Sequence, residues 1–246
     1  MTKAVGGAFA RLEGLDRRGD WRRFWWVVPP LGIALSVWAG LGLYHHFTDQ
    51  HLITLHEVVS QSYNTSASPR LSIDDLAGNV VIDTGIEPRV DISITRQGAG
   101  TSEQAAFNDL TSLSLQVRNA VGTITIATGQ AAGVAPSALA RSDIHVTVPP
   151  GTHVSVVAHR GNVSTAAVVG DIRASTDHGD IEVRLPAEAH FNLLDGAGAL
   201  YSEFPLSTPP AGASPGLFAT AGGRTDATPQ VLDLHAPNGN VRIVRQ

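Results

Sequence analysis

The 246-residue sequence contains no cysteine, and charged residues make up only 16% of it. The missing cysteine excludes disulfides, thiolate zinc sites, iron–sulfur clusters and cysteine nucleophiles. Lys and Arg number 17 against 22 Asp and Glu, which gives a net charge of −5 and nothing to attract nucleic acid. Glycine (25) and proline (14) are frequent, so the composition favours turns and short strands over long solvated helices.

Catalytic and cofactor motifs are also missing. Walker, dinucleotide-binding and zinc-protease motifs do not occur. His178 lies close to Asp177 and Ser175, but successive residues of a strand point to opposite faces, so no triad is predicted. We therefore predict that the protein is not an enzyme, has no catalytic or metal-binding residues and holds no cofactor.

One long segment without charge, residues 25–47, has the length needed to cross a bilayer, about 20 apolar residues. The preceding residues 1–24 carry six basic and three acidic side chains, which assigns them to the cytoplasm by the positive-inside rule. We expect a transmembrane helix in the inner (cytoplasmic) membrane that contacts lipid, with everything after it periplasmic or extracellular. A cleaved signal peptide is the alternative.

Residues 48–69 are interpreted as a stalk or linker. Leu52, Leu55, His56 and Val59 share one face of a helix, and small polar residues follow them. Histidines in this region invite a metal-site hypothesis: His45, His46, His51 and His56. Their spacing does not place a pair on one helix face, so we interpret them as interface-lining side chains.

From residue 70 onward, apolar and polar side chains alternate, which is typical of strands with one buried face. The predicted buried set is Leu71, Ile73, Val90, Ile92, Ile94, Leu113, Leu115, Val117, Ile124, Ile126, Ile144, Val146, Val148, Val154, Val156, Ile181, Val183, Leu185, Val241 and Ile243. The side chains predicted to face outward are Asp91, Ser93, Gln116, Thr125, His145, Glu182 and Arg184.

A glycine step is repeated on top of this alternation. Gly161-Asn162-Val163, Gly170-Asp171-Ile172 and Gly179-Asp180-Ile181 follow one another at nine-residue intervals. Such a period accommodates one short strand and one turn, with glycine at the corner. Fixed-period repeats indicate stacked units. We predict a mainly β domain over residues 70–246, organised as a β-solenoid or β-roll.

The stretch 143–185 resembles the core of the bacterial putative adhesins with β-strand repeats. Members show a V-x-V-P-x-G step followed by successive G-[DN]-[IV] strands, often behind one transmembrane helix. The matching residues here are Val146, Val148, Pro149, Gly151 and the three glycine steps. The resemblance covers residues 70–246, implies a membrane-anchored adhesin-like architecture and supplies no catalytic residue.

Two segments without periodicity interrupt the pattern, residues 127–141 and 205–230. Both are rich in small residues. The second contains Leu217 and Phe218 and is predicted to be either a flexible segment or a contact loop.

Acidic side chains suggest two further sites, neither of which the sequence supports. A calcium-binding β-roll would need G-G-x-G-x-D in each unit, so Asp171, Asp177, Asp180 and Glu182 are interpreted as turn caps. A polysaccharide-cleaving site would need paired carboxylates, and Asp91 with Asp171 and Glu182 could meet only by accident of stacking.

The function predicted from the sequence is a non-catalytic, membrane-anchored binding or scaffold module of the cell envelope with a protein partner. One alternative is an accessory subunit of a larger inner-membrane complex, since small residues in the segment 25–47 favour close helix packing. The other alternative is a polysaccharide-active enzyme built on a β-helix.

Overall fold

The computed structural model describes residues 52–65, 68–120, 122–132, 139–207, 217–220 and 229–246, with the backbone alone for 217–220. All of these belong to the unit Leu52–Gln246. Most of them lie in strands of two mixed sheets, here called sheet A and sheet B. The prediction of a mainly β fold is confirmed.

Sheet A has eight strands among the described residues: β1 (Ile53–Asn64), β3 (Val80–Thr84), β4 (Arg89–Gly100), β7 (Arg141–Val148), β9 (Val163–Ala166), β11 (Ile181–Leu185), β13 (Ala199–Ser202) and β17 (Asn240–Arg245). Their order is β1-β4-β7-β3-β9-β11-β17-β13. The pairs β1–β4 and β4–β7 are antiparallel, and every pair from β7 to β13 is parallel.

Sheet B has nine strands in the described part of the chain: β2 (Arg70–Asp75), β5 (Leu113–Ala120), β6 (Thr123–Gln130), β8 (His153–Arg160), β10 (Ile172–His178), β12 (His190–Asp195), β14 (Leu206–Ser207), β15 (Leu217–Thr220) and β16 (Gln230–His235). Their order is β14-β15-β12-β16-β10-β8-β2-β6-β5. The strands from β12 to β6 are parallel, and the outer strands at both ends are antiparallel.

From β7 to β13, successive strands alternate between the sheets, as in the run β8, β9, β10, β11. A complete unit of two strands therefore takes eighteen residues, as between Gly161 and Gly179, and the nine-residue period is half of it. The spatial order departs from chain order, because β12 and β13 stack outside β16 and β17. The sheets are thus mixed and do not follow the regular succession expected of a solenoid.

The buried side chains of both sheets form one hydrophobic cluster, which supplies the main stabilisation of the fold. The predicted buried set is confirmed except for Leu115 and Val117, which are partly buried against the cluster. Both lie on β5, the edge strand of sheet B, where one side of the strand has no described neighbour.

Glycines at one corner of the stack let successive units approach closely. A Cβ on Gly161 would lie 1.7 Å from the carbonyl oxygen of Gly78, and one on Gly179 would lie 2.0 Å from that of Gly161. The same holds for Gly239, where the carbonyl of Gly179 is 1.8 Å away. Any side chain at these positions would collide with the backbone of the next unit.

The residue after each corner glycine links the same units through its side chain. Asn79 Oδ1 accepts a hydrogen bond from the backbone N–H of Asn162 (3.1 Å), and Asn162 Oδ1 accepts one from Asp180 (2.9 Å). Asp180 Oδ1 accepts one from Asn240 (2.8 Å). We call this arrangement the Gly-Asx ladder; its members are Gly78-Asn79, Gly161-Asn162, Gly179-Asp180 and Gly239-Asn240.

The segment interpreted as a stalk contains a strand instead of the expected helical face. Residues 53–64 form β1, which pairs with β4 along its whole length, from Ile53 opposite Gly100 to Asn64 opposite Arg89. Leu55 and Val59 are four residues apart, a spacing that satisfies both a helix face and one side of a strand. The pairing with β4 decides between the two.

Both segments without periodicity also contain strands. Residues 127–130 belong to β6, and residues 206–207 and 217–220 form β14 and β15 at the edge of sheet B. The predicted cytoplasmic segment 1–24 and the predicted span 25–47 lie outside the described residues. Within the residues that the structure does describe, no helix has the length and apolar character to cross a membrane.

A short helix, α1 (Glu103–Thr111), follows β4 and packs on it. Gly98 and Gly100 of β4 make this close packing possible, because a Cβ on either glycine would lie 2.6 Å or less from an atom of the helix. At the end of the helix, Arg96 donates to the carbonyl oxygens of Leu110 (3.0 Å) and Leu113 (2.7 Å). A cation there complements the negative end of the helix dipole.

Candidate functional site

A shallow polar groove crosses the outer face of sheet A, the face turned away from the core. Its volume is about 390 Å³, within the range of small-ligand sites. We call it the sheet A groove. Its lining residues are Ser60, Gln61, Ser62, Asp91, Ile92, Ser93, His145 and Thr147.

Strand register brings these side chains together from three segments that are distant in sequence. Ser60 of β1 is opposite Ser93 of β4, which is opposite His145 of β7. In the next outward-facing row, Ser62 is opposite Asp91 and Asp91 opposite Thr147. Because side chains alternate between faces, both rows point away from the core.

Asp91 is the acidic residue of the groove, and its charge is matched. Ser62 Oγ donates to Asp91 Oδ1 (2.5 Å), and Arg89 Nε donates to Oδ2 (2.8 Å). The hydrogen bond from Ser62 lowers the pKa of Asp91, slight desolvation opposes it, and the hydrogen bond and charge of Arg89 reinforce it. The carboxylate therefore stays ionised and paired.

His145 is also matched to a carboxylate, because its Nε2 lies 2.8 Å from Asp83 Oδ2. Ser93 is its register neighbour, yet no hydrogen bond joins Ser93 to His145 in the described part of the chain. The three residues thus lack the nucleophile–base contact that a Ser/His/Asp triad requires. Among the described residues, the hydroxyls of Ser60, Ser93 and Thr147 have no side-chain hydrogen-bond partner.

The four acidic residues considered as calcium ligands have separate partners. Asp171 accepts from the backbone N–H of Val231 (3.0 Å), and Asp180 accepts from Asn240 in the Gly-Asx ladder. These two carboxylates accept from neighbouring strands 60 residues away in sequence, so they link units, and the turn-cap interpretation stays a prediction. Asp177 pairs with His159 (2.8 Å) and Glu182 with Arg184 (2.7 Å). In the part of the chain that the structure describes, no group of three or more His, Asp or Glu residues could hold a metal ion.

The carboxylates considered for polysaccharide cleavage also lie apart. Asp91 and Glu182 are both on sheet A, but β7, β3 and β9 separate their strands, a distance of roughly 19 Å at the usual strand spacing. Asp171 precedes β10 in sheet B. A paired-carboxylate site from these three residues does not form.

Only one of the four histidines considered as metal ligands lies in the part of the chain that the structure describes. His56 lies on β1 and is exposed, whereas His45, His46 and His51 lie outside the described residues. His178 makes no contact with Ser175 or Asp177 that would form a triad, and Asp177 is engaged by His159 instead.

The sheet A groove was only partly visible in the sequence. Asp91, Ser93 and His145 were predicted to face outward, and they do. Ser60 and Ser62 were missed because their segment was interpreted as a stalk. The signal that could have found them is the spacing of Leu55, Val59 and Tyr63 among polar residues. These three are the partly buried side chains of β1.

A buried acidic residue, Asp75, ends strand β2 of sheet B and contacts strand β7 of sheet A. Asp75 is fully buried, and its Oδ1 accepts from Thr128 (2.5 Å) and Ser142 (2.6 Å). Its Oδ2 has no partner among the described residues. Burial raises the pKa of Asp75, while the hydrogen bonds from Ser142 and Thr128 oppose the shift.

Comparison with known proteins shows likeness in fold and none in sequence. No family model and no curated protein matches the chain. A putative cell adhesion protein from Clostridium sporogenes has a TM-score of 0.51 at 9% identity, covering 79% of this chain and all of its own. Putative adhesins from Bacteroides fragilis and Parabacteroides distasonis are 12% and 11% identical, with TM-scores of 0.26 and 0.30. They cover 77% and 59% of this chain and 97% and 64% of their own.

The fold and the groove together define a two-sheet β domain with a polar surface depression. The predicted resemblance to the bacterial putative adhesins is confirmed as a likeness in fold, and it rests on the Clostridium sporogenes protein. At this level of identity the likeness carries over no residue role.

Proposed function

We propose that the protein is a non-catalytic, membrane-anchored binding module of the bacterial cell envelope and that the sheet A groove is its contact site. The observation that carries the proposal is the set of hydroxyls of Ser60, Ser93 and Thr147, which line the groove and have no side-chain hydrogen-bond partner among the described residues. Surface polar groups arranged on a rigid sheet suit reversible recognition, because the scaffold already orders them before a ligand binds.

Membrane anchoring through residues 25–47 is part of the proposal, and the charge asymmetry of the sequence supports it. The domain from residue 52 onward is then periplasmic or extracellular. A tag after Gln246 should be cleaved by protease added outside the inner membrane, while a tag before Met1 should be protected. A protected C-terminal tag would contradict the orientation, and a mature N-terminus near Gly40 would contradict the anchor.

The repeat is proposed to act as a solenoid-like platform. Parallel strands of both sheets and the Gly-Asx ladder support this, since they fix the spacing between units. A partner can contact several strands at once on such a surface.

Site-specific cross-linking tests the contact site. The natural sequence has no cysteine, so a single Ser60→Cys substitution in the groove can be coupled to a photoactivatable maleimide without side reactions. Ser155→Cys, equally exposed on the outer face of sheet B, is the matched control. We expect full-length protein in its native envelope to form adducts from position 60 and not from position 155.

Equal adduct formation at both positions, or none at position 60, would contradict the proposed site. An integral membrane protein captured through residues 25–47 and not through the groove would support the accessory-subunit alternative. Turnover of an envelope polysaccharide that is lost with groove substitutions would support the enzyme alternative.

A further inference from the structure

The sheet A groove combines carboxylates that already have hydrogen-bond partners with hydroxyls that have no side-chain partner among the described residues. Asp91 is engaged by Ser62 and Arg89, and Asp83 by His145. The hydroxyls of Ser60, Ser93 and Thr147 have no such partner within the ranges that the structure describes and can contact a ligand. Each can donate one hydrogen bond and accept two.

We propose that the ligand of the sheet A groove is a neutral, hydroxyl-rich molecule, a segment of glycan. The inference rests on the proposed function, since it names the class of ligand that the same groove binds. Hydroxyls that both donate and accept match sugar hydroxyls, which do the same.

Charged ligands fit this groove less well. A phosphate or carboxylate would need an unpaired cation, but the arginine next to the groove, Arg89, already pairs with Asp91 and Glu87, and His145 lies against Asp83. A cationic ligand would need to displace Arg89 from Asp91 and would leave that arginine paired with Glu87 alone. A neutral ligand requires neither change.

The position of the groove favours a chain over a small isolated sugar. It lies across β1, β4 and β7 on an outer sheet face, so a ligand can extend past it on either side. Ser60 and Ser93 are opposite each other on adjacent strands, roughly 4.8 Å apart, and Thr147 lies on the next strand, two residues beyond the position opposite Ser93. Several hydroxyls of one or two sugar rings can then be contacted together.

A second set of three hydroxyls provides a matched control for Ser60, Ser93 and Thr147. Thr125, Ser72 and Ser155 are in register on β6, β2 and β8, on the outer face of sheet B. They have the same chemistry as Ser60, Ser93 and Thr147 and lie on the opposite sheet. If hydroxyl content alone decided binding, the groove set and the sheet B set would bind equally. If the groove geometry decides it, only the groove set binds.

The test uses full-length protein in detergent and isothermal titration with tetramers of glucose, of N-acetylglucosamine and of galactose as neutral probes. Tetragalacturonate and tetralysine are the anionic and cationic comparators. We expect at least one neutral tetramer to bind more tightly than both comparators. The triple variant Ser60→Ala, Ser93→Ala, Thr147→Ala should weaken that binding by about tenfold or more, at roughly tenfold per 1.4 kcal/mol. The control triple Thr125→Ala, Ser72→Ala, Ser155→Ala should change it less than about twofold.

Three results would overturn the proposal: no binding of any neutral tetramer, tighter binding of a charged comparator, or equal losses in the two triple variants. Thermal unfolding of both variants checks that each is folded. If neutral tetramers fail while cross-linking from position 60 succeeds, the glycan class is wrong and the contact site stands. If cross-linking fails as well, the proposed function is wrong.

Discussion

The Gly-Asx ladder and the sheet A groove differ in what their polar side chains do. Those of the ladder lie at the corners of the repeat, and those of the groove face outward from sheet A. In the ladder, Asn162 and Asp180 use their side-chain oxygens to hold the next unit. In the groove, Ser60 and Ser93 belong to strands outside the repeat, and within the described part of the chain their hydroxyls have no side-chain partner. The corner side chains of the repeat thus link its units, whereas the proposed contact site lies where the repeat ends.

The ladder gives way to the groove at strand β7, which is stacked next to the unit of Gly78. The position stacked next to Gly78 is Ser142 on β7, whose carbonyl oxygen is 1.8 Å from where a Cβ on Gly78 would be. Asp143 continues the side-chain links by accepting from the backbone N–H of Asn79 (3.0 Å). Beyond β7 the strands become antiparallel, and this is where the groove forms. The following variants test how firmly the two regions differ.

The largest effect is expected in the core of the ladder region. Val183 is fully buried, so Val183→Asp would bury a carboxylate without a partner and should cost about 4 kcal/mol of unfolding free energy. Glu182→Ala on the same strand removes only an exposed pair with Arg184 and should cost less than about 1 kcal/mol. Denaturant unfolding measures both. Equal shifts would mean that the faces of β11 are assigned wrongly.

A corner glycine should matter nearly as much. Gly161 has a φ of +139°, and a Cβ there would meet the Gly78 carbonyl, so Gly161→Ala should cost about 3 kcal/mol. Gly122 also has a positive φ, +75°, but a Cβ there meets no atom of the described residues within 4 Å. Gly122→Ala should cost about 1 kcal/mol from backbone strain alone. If the two variants unfold at the same denaturant concentration, close stacking is not what the ladder glycine provides.

The side-chain half of the ladder is expected to contribute less. Asn162→Ala removes the acceptor for the backbone N–H of Asp180 and should cost about 1 kcal/mol. Asn162→Asp keeps an oxygen at that position and should be close to the natural protein in denaturant unfolding. A similar loss in both variants would show that the oxygen is not the stabilising group.

The buried residue Asp75 predicts a pH effect. Because burial raises its pKa above the ordinary 3.8, the folded state holds this proton to higher pH than the unfolded state. Its contribution to stability is complete below 3.8 and is lost as the pH rises through the folded-state pKa. Relative to Asp75→Asn, the natural protein should therefore lose stability over that window. A relative gain with rising pH would contradict the raised pKa.

Much of the ladder region could be predicted because its information is local. Alternation identified the buried faces of strands such as β11, and the glycine step identified the corners. The order of the units could not be predicted, because β16 and β17 insert between β10 and β12 and between β11 and β13 through pairing of distant segments. The nine-residue period predicts the strand and turn within each unit, but it does not predict which unit stacks on which.

The groove could not be predicted for the same reason. Its three strands come from residues 53–64, 89–100 and 141–148, and only the register of β1 with β4 and of β4 with β7 brings Ser60, Ser93 and His145 into one row. The spacing of Leu55 and Val59 was compatible with helix and strand alike. Outward orientation of Ser93 and His145 was predictable, but their meeting was not.

Cysteine accessibility in the native envelope tests the central claim most directly. Ser93→Cys lies in the groove and Ser72→Cys on the outer face of sheet B, both half-buried and both the sole cysteine of the full-length chain. The ratio of their maleimide labelling rates is measured in the native envelope and in purified protein. If the groove is the contact site, position 93 should be protected in the envelope relative to position 72, so the ratio should fall. An unchanged ratio, or selective protection of position 72, would contradict the assignment of binding to the sheet A groove.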